Sequence, residues 1–323
     1  MRAASYEKRG PAREVLRVGV MPDPTPGAGE VRIRIAASGI NPGDIKKRQD
    51  AFGYGMPYPR VIPHSDGAGY VDLAGEGVTA EWISRRVWCY GAQSYRAFGT
   101  AAEHAVVPAS QVAPLPDGVS FEQGACLGIP AITAHRCVHT AGPVEGRTVL
   151  VQGGAGAVGI CAVQLANRAG ATVIAAVRAP SDEAIARSAG AHHVVHGPNL
   201  IQQVRALAPD GVDHIVEVAF GANIAADLEV LSIRGSIATY ATDVEAPSIP
   251  FWPLLFKNVR VDFLGSDDFT RADKEEAARA TNEALLAGWE GMPIAEQFSL
   301  DEIATAHERL ETSHRRGRFV LVL

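Results

Sequence analysis

VLVQGGAGAVG, residues Val149–Gly159, is a short apolar run that breaks into glycines and small residues. With Thr148 in front, Val149-Leu150-Val151 reads as a buried parallel strand, and Ile160 to Ala169 reads as a helix closed by Gly170 at its C-terminal end. Between them Gly154, Gly156 and Gly159 fit the G-x-G-x-x-G spacing of a dinucleotide-binding turn. In such a turn one glycine permits the tight bend, one lets backbone approach a pyrophosphate, and one brings helix and strand close together. The helix N-terminus then offers free N–H groups to phosphate oxygens, so Ala155, Ala157 and Val158 join the glycines as cofactor-binding positions. The spacing alone also suits an ordinary strand-to-helix turn; the strand before it and the helix after it favour the dinucleotide.

The 323 residues suffice for two domains, and 47% hydrophobic residues can fill a core in each. The chain carries 30 basic and 36 acidic residues, a formal net charge of −6, without a long basic block. That balance argues against nucleic-acid and membrane-surface partners. The N-terminus MRAASYEKRG lacks an apolar core, and no apolar run approaches the ~18 residues that span a bilayer, so the expected location is cytoplasmic. Cys89, Cys126, Cys137 and Cys161 are scattered without C-x-x-C spacing and read as reduced and mostly buried.

Upstream of the glycine turn the chain reads as β-rich. Val31 to Ile35 alternates cleanly, and the Pro22–Gly27 connector before it cannot be helix. Further strands are expected at Gly69–Leu73, Arg86–Tyr90 and Ala102–Val107, together a compact, partly open barrel. From Glu122 onward strands and helices alternate: strands at Thr172–Val177, His193–Val195, His214–Val218, Ser236–Tyr240 and Arg260–Leu264, with helices at Ser181–Ala189, Leu200–Ala208 and Ile224–Leu231. This alternation predicts an α/β fold with a doubly wound parallel sheet. After Gly265 follow helices at Ala272–Ala287 and Leu300–Glu311 and an apolar strand, Phe319–Leu323, which needs a sheet partner in the first domain.

Five stretches together resemble one family: Asn41-Pro42-Gly43-Asp44, Ile129 to Ala134, the glycine turn, Gly190 to Val195, and Gly317 to Leu321. In order and nearly end to end, the chain is similar to the zinc-independent, zeta-crystallin-like quinone oxidoreductase branch of the medium-chain dehydrogenases. The resemblance implies a GroES-like catalytic domain from residues 1–124 and 266–323, a Rossmann domain from 125–265, and a cofactor cleft between them. Related alcohol dehydrogenases place a zinc-binding cysteine near the Asn41 position and a His-Glu pair near Ser65-Asp66. Here the soft ligand is missing, and His64 beside Asp66 lacks a third protein ligand, so no metal is expected.

Dinucleotide enzymes that select NAD carry an acid about twenty residues past the glycine turn, where it binds the ribose hydroxyl. The segment Ala175 to Ser181 has no acid before Asp182 and offers Arg178, which can pair with a 2′-phosphate. The expected cofactor is therefore NADPH, although Arg178 could also be a solvated strand-end residue. Ser181 could assist as a donor or simply cap the next helix, with Asp182 favouring its N-terminus.

By resemblance Asn41 and Thr133 face the nicotinamide, and Tyr240, Ala241, Thr242, Phe263, Leu264 and Gly265 wall the ribose and ring. His196 is read near the adenosine phosphate, beside a Gly197 that departs from the family's aromatic or histidine, and Arg318 near the cofactor phosphates. Arg315 and Arg316 beside it read as a solvated tail face. The family's tyrosine close to position 52 is Phe52 here, and Tyr54 is the substitute proton or hydrogen-bond donor, with Tyr58 and His64 as alternatives. Catalytic roles thus fall to Asn41, Tyr54 and Thr133. The expected reaction is hydride transfer to a quinone or an activated alkene, with an enone, enal or haloacrylate-type reductase as the near alternative. A non-catalytic NADPH- or RNA-binding protein of the zeta-crystallin kind is the alternative of another class. The strand Asn258–Gly265 would leave a pairing edge, which the family covers by homodimerisation.

Overall fold

Alternation along Glu30–Gly39 puts Val31, Ile33 and Ile35 in the core and leaves Arg32 to pair with Asp72 at 2.8 Å. This strand is the spine of the first of two units in the computed structural model, which describes residues 1–312 and 316–323. The first unit is Met1–Ile129 with Thr270–Leu323, and the second is Pro130–Phe269.

In chain order the first unit begins with β1 (Arg2–Ser5), α1 (Ala12–Val15) and β2 (Arg17–Val20), the two strands pairing antiparallel. The spine strand is β3, followed by α2 (Pro42–Gln49), β4 (Asp66–Ala74), β5 (Arg86–Cys89), β6 (His104–Pro108) and β7 (Val112–Pro114). Helix α3 (Phe121–His139) runs from this unit into the second and contains Pro130. Sequence reading did not find α2, because it rests on a proline at N1 after Asn41 and is otherwise short and polar.

The second unit holds β8 (Thr148–Gln152), α4 (Ala157–Arg168), β9 (Thr172–Val177), α5 (Glu183–Ser188), β10 (His193–His196) and α6 (Leu200–Leu207). It continues with β11 (Val212–Glu217), α7 (Phe220–Val230), β12 (Leu231–Thr239), α8 (Phe251–Phe256) and β13 (Arg260–Phe263). All six strands are parallel, in the order β10-β9-β8-β11-β12-β13. The doubly wound α/β sheet expected from the alternation is present. Its order reverses between β8 and β11, the switch point at which such sheets bind ligands beyond their strand C-termini. Several boundaries differ from expectation, among them α7, which begins at Phe220 and not at Ile224. Helix α4 begins at Ala157, because Gly156 serves as its extended N-cap and the small residues after it fit the first turn. Strand β12 begins at Leu231, with an irregular stretch that includes Arg234 at φ 63°.

The chain returns to the first unit with α9 (Arg271–Leu286), β14 (Ile294–Ser299), α10 (Ile303–Thr312) and β15 (Arg318–Val322). The apolar last strand finds its partner on β3, antiparallel with Val320 opposite Gly39 and Leu321 opposite Ser38, and takes β14 on its other side. The resulting seven-stranded sheet runs β14-β15-β3-β4-β5-β7, with β6 added on β3. Arg315 lies outside the described residues. Among those described, no helix is long and apolar enough to cross a membrane.

Candidate functional site

The glycine turn joins β8 to α4, and its glycines divide the labour differently from the expected scheme. The left-handed residue is Gly153, at φ +67°, one position ahead of the spaced triad. A Cβ on Gly154 would stand 2.7 Å from the Ala175 Cβ, and one on Gly159 would stand 2.1 Å from the Gly153 carbonyl oxygen. Gly154 therefore lets the turn rest on β9, and Gly159 lets the first turn of α4 close against the bend. At Gly156 the nearest atom would be that same oxygen at 3.2 Å, and Gly156, Ala157 and Val158 are half-buried around the start of the helix, with Ala155 buried behind them. No side chain caps this N-terminus, so its first N–H groups are available to an anion.

The other cofactor candidates of this unit stand at the C-terminal ends of its strands. Arg178 follows β9 directly and is exposed; Ser181 is exposed in the 3₁₀ turn Pro180–Asp182 that leads to α5. The N-cap position of α5 belongs to Asp182, so Ser181 does not cap that helix. His196 ends β10, half-buried, with its carbonyl accepting from Gln203 Nε2 at 2.8 Å. Tyr240, Ala241 and Thr242 follow β12, and Ala241 accepts from the Phe220 N–H at 3.2 Å. Phe263 ends β13 and is 63% exposed, while Leu264 N–H donates to Thr239 and Gly265 leads into the next turn.

Beneath the glycine turn lies a carboxyl pair that sequence reasoning missed. Glu217 ends β11 and Asp227 sits on α7, both fully buried and close enough for the Glu217 charge to act on Asp227, whose Oδ2 meets no donor among the described residues. Gln152 Nε2 donates to Asp227 Oδ1 at 2.8 Å, and the Ala219 N–H and Asn223 Nδ2 donate to Glu217. Burial raises both acids, and for Asp227 the neighbouring Glu217 charge adds to it. Burial and the neighbouring carboxylate together favour a proton on Asp227, and the unpartnered Oδ2 is the oxygen open to it.

In the first unit Asn41 precedes α2 and its backbone N–H donates to Asp44 Oδ2 at 2.7 Å. Its amide is held from both ends. Arg318 Nη2 donates to Asn41 Oδ1 at 2.8 Å, and Asn41 Nδ2 donates to Asp66 Oδ2 at 2.7 Å. The structure thus brings Asn41 and Arg318 together; Arg318 is only 5% exposed and its guanidinium is turned to the amide. Thr133 lies buried on α3, four residues beyond Ile129, whose N–H donates to the Asp66 carboxylate at 2.9 Å. Tyr54 is not part of the Asn41 cluster: it is 81% exposed and stacks on Phe52 with ring centroids 6.0 Å apart. Tyr58 donates its hydroxyl to the Tyr95 carbonyl.

His64, an alternative donor by sequence, spends both ring nitrogens on other side chains. It sits fully buried at φ +76°, with Nδ1 2.9 Å from Ser38 Oγ and Nε2 2.9 Å from His307 Nε2. Arg48, itself buried and paired with Glu311, points Nε at His307 Nδ1 at 3.4 Å. Burial, then the Arg318 cation, lowers His64 to about 3, and burial keeps His307 well below its ordinary value, so both rings are neutral. One proton order satisfies every contact: Arg48 donates to His307, His307 Nε2 to His64, His64 Nδ1 to Ser38, Ser38 to Thr100, and Thr100 to the Asp66 carbonyl at 2.6 Å. The relay braces β3, β4 and α10 around Asp66.

Zinc does not fit this cluster. The positions that would supply ligands read Asn41, Ser65 and Asp66, and the amide and carboxylate among them are spent on each other. The thiols of Cys89, Cys126 and Cys137 are buried, and burial pushes them up, the first two to about 12 and about 11.

Sequence profiles of two families match the chain: one described as zinc-binding dehydrogenase over residues 157–282, and one as alcohol dehydrogenase GroES-like domain over residues 27–117. The quinone oxidoreductase of Rattus norvegicus is 30% identical over 309 residues, which span 93% of this chain and 91% of that protein. A mycobacterial quinone oxidoreductase structure superposes with a TM-score of 0.88 at 28% identity, covering both chains in full. A mycobacterial structure complexed with NADPH superposes with a TM-score of 0.86 at 27% identity, again over 100% of each chain.

Proposed function

Because the chain belongs to the zeta-crystallin-like quinone oxidoreductase branch of the medium-chain dehydrogenases, we propose that it is an NADPH-dependent oxidoreductase passing hydride to a quinone or another activated double bond without zinc. The observation that carries the reading is the glycine cradle at the sheet's switch point, with Arg178 and no acid at the end of β9. Bound NADPH supplies a hydride; the chain's part is to bind, orient and exclude water. In this reading Gly154, Ala155, Gly156, Ala157, Val158 and Gly159 hold the pyrophosphate, Arg178 with Ser181 the 2′-phosphate, and His196 supports the phosphates, while Arg318, expected there, is turned to the Asn41 amide instead. Tyr240, Ala241, Thr242, Phe263, Leu264 and Gly265 serve the ribose and ring, and Asn41 and Thr133 the nicotinamide. A conjugated carbonyl spreads the incoming charge itself, so the site needs to offer only a hydrogen-bond donor and eventually a proton. Tyr54, on an exposed loop, takes that part only if the loop brings it to the acceptor.

A panel of 1,4-quinones and α,β-unsaturated carbonyls, followed by NADPH oxidation, tests the redox reading and separates quinone from enone or enal reduction. No turnover with any member would overturn it, and a salt-dependent RNA shift without turnover would point to the binding-protein alternative. Within the same assay Arg178→Ala should lower the preference for NADPH over NADH on the order of ten- to a hundredfold, the worth of one charge-assisted bond at roughly 1.5–3 kcal/mol. An unchanged ratio would remove Arg178 from the cofactor site.

We also propose that two copies pair along β13. This strand is the edge of the parallel sheet, and Phe251, Trp252 and Phe256 on the preceding helix are each at least 60% exposed. A second copy would cover both the open edge and the aromatic patch. Light scattering should give twice the 34.1 kDa of one chain, and Phe256→Asp should shift it toward the single mass. A monomer at micromolar concentration would dismiss the pairing.

A further inference from the structure

Two buried groups outside the expected site, Asp66 and the backbone of α3, meet at the amide that the proposed function assigns to the nicotinamide. We propose that Asp66 is a positioning residue that, together with Arg318, fixes the carboxamide of Asn41 in one orientation for the hydride-transfer site. The inference rests on the reading of Asn41 as a nicotinamide-facing residue.

An asparagine amide can flip end for end with little change in shape, so its orientation has to be enforced by neighbours. Here the enforcement comes from both ends. The Arg318 guanidinium only donates, so it selects Oδ1 at 2.8 Å; ionised Asp66 only accepts, so it selects Nδ2 at 2.7 Å. The flipped amide would set donor against donor and acceptor against acceptor. With both contacts made, Asn41 keeps one N–H for a ligand, at a fixed position.

Asp66 is held as firmly as the group it holds. It is fully buried, the Ile129 N–H lies 2.9 Å from both carboxylate oxygens, and its own carbonyl accepts from Thr100 Oγ1 at 2.6 Å. A Cβ on Gly128 would lie 2.1 Å from Asp66 Oδ1, so a glycine is what lets α3 approach the carboxylate. Every polar partner of the carboxylate is a donor, which is the pattern of an ionised acid, and the Arg318 cation beyond Asn41 balances it.

The charge can be lost in a useful range. Burial, opposed by the Asn41 bond and Arg318, brings Asp66 to about 7. The titratable groups that face it are Arg318 from β15, Asp44 from α2, Cys89 from β5 and Cys126 from α3. The two thiols, pushed up to about 12 and about 11, stay neutral near pH 7, and the relay histidine His64 is neutral as well. Protonation turns one Asp66 oxygen into a donor and loosens the clamp, so hydride transfer should decline on the acid side of neutrality.

The test uses the full-length protein with NADPH and 1,4-benzoquinone, reading NADPH affinity by titration and hydride transfer by single turnover across pH. Asp66→Asn should slow hydride transfer on the order of ten- to a hundredfold, the scale of a misplaced reacting group, with NADPH affinity changed less than about threefold. The acid limb near pH 7 should vanish in that variant. Combined with Asn41→Ala it should add nothing to the loss from Asn41→Ala alone. Multiplying effects, or an acid limb that survives Asp66→Asn, would overturn the positioning role while leaving Asn41 in the site. Wild-type speed in Asn41→Ala would instead overturn the reading of Asn41, and the role of Asp66 with it. Should Asp66→Asn fail to fold, Asp66→Glu carries the same cycle: it keeps the charge and the acid limb but moves the oxygens, and its loss must disappear in the Asn41→Ala background.

Discussion

Gly159→Ala is expected to abolish measurable NADPH binding and to destabilise the second unit by about 3 kcal/mol or more, the scale of a forced overpacking with no soft neighbour. The added methyl would lie 2.1 Å from the Gly153 oxygen, 2.8 Å from its carbonyl carbon and 2.9 Å from the Gly154 Cα. All three are backbone atoms, so no rotamer change relieves the contact and α4 must withdraw by about 1 Å to restore van der Waals distance. Withdrawal carries away the N–H groups at the helix start on which the proposed pyrophosphate contact depends, and such contacts weaken steeply with distance and angle. Gly156→Ala supplies the comparison, because its methyl would meet the same oxygen at 3.2 Å, which a few tenths of an ångström relieves. That variant should melt near the wild type while binding NADPH less well. Thermal melts and nicotinamide fluorescence titrations of both variants decide the matter: wild-type melting and affinity in Gly159→Ala would show that close approach of α4 is not what the turn requires.

The features legible in the sequence were those that repeat or punctuate. Alternating strands and helices imply the parallel sheet, and the glycine cluster marks its switch point between β8 and β11. The apolar tail announces a strand that needs a partner, which β3 provides. Even so, the spacing Gly154, Gly156, Gly159 does not reveal that the bend itself belongs to Gly153, since positive φ is a property of the path and not of a motif. The clamped amide was half visible: Asn41 and Arg318 are both candidates from the sequence, but 277 residues separate them and only the pairing of β15 with β3 makes them neighbours. Asp66 stood out merely as a position without a zinc ligand. His64 reads as a lone histidine because its partner, His307, lies 243 residues away on a helix whose buried face holds an imidazole among apolar residues. Polar groups of this kind are legible in sequence only when their partners are close along the chain. Long-range pairs are set by register, and register is settled in three dimensions.

The carboxyl pair under the glycine turn leads to the second large effect: Asp227→Asn should stabilise the protein increasingly as pH rises. In the folded chain Asp227 and Glu217 are both buried, and burial with the neighbouring Glu217 charge lets Asp227 keep its proton well above the range in which a carboxyl keeps it in water. In the unfolded chain both ionise near pH 4. Below that pH the folded and unfolded states carry the proton alike, and the pair's contribution to stability is fully present. Above it the folded state binds one proton more than the unfolded state, so stability is lost at about 1.4 kcal/mol per pH unit until the pair gives its proton up. An asparagine at 227 supplies the hydrogen from its own Nδ2 to Glu217 and keeps Oδ1 for Gln152, so it reproduces the contacts without holding a titrating proton. Relative to wild type the variant should therefore be nearly neutral at pH 4 and gain with every unit toward neutrality, a slope that is large beside a total stability of about 5–15 kcal/mol. Denaturant melts of the two proteins at pH 4, 5, 6, 7 and 8 measure the difference directly, which cancels the opposing pH dependence of the neutral histidines His64 and His307. A gap that stays constant across the series would mean that Asp227 keeps no proton, and that the two acids are kept apart by donors alone.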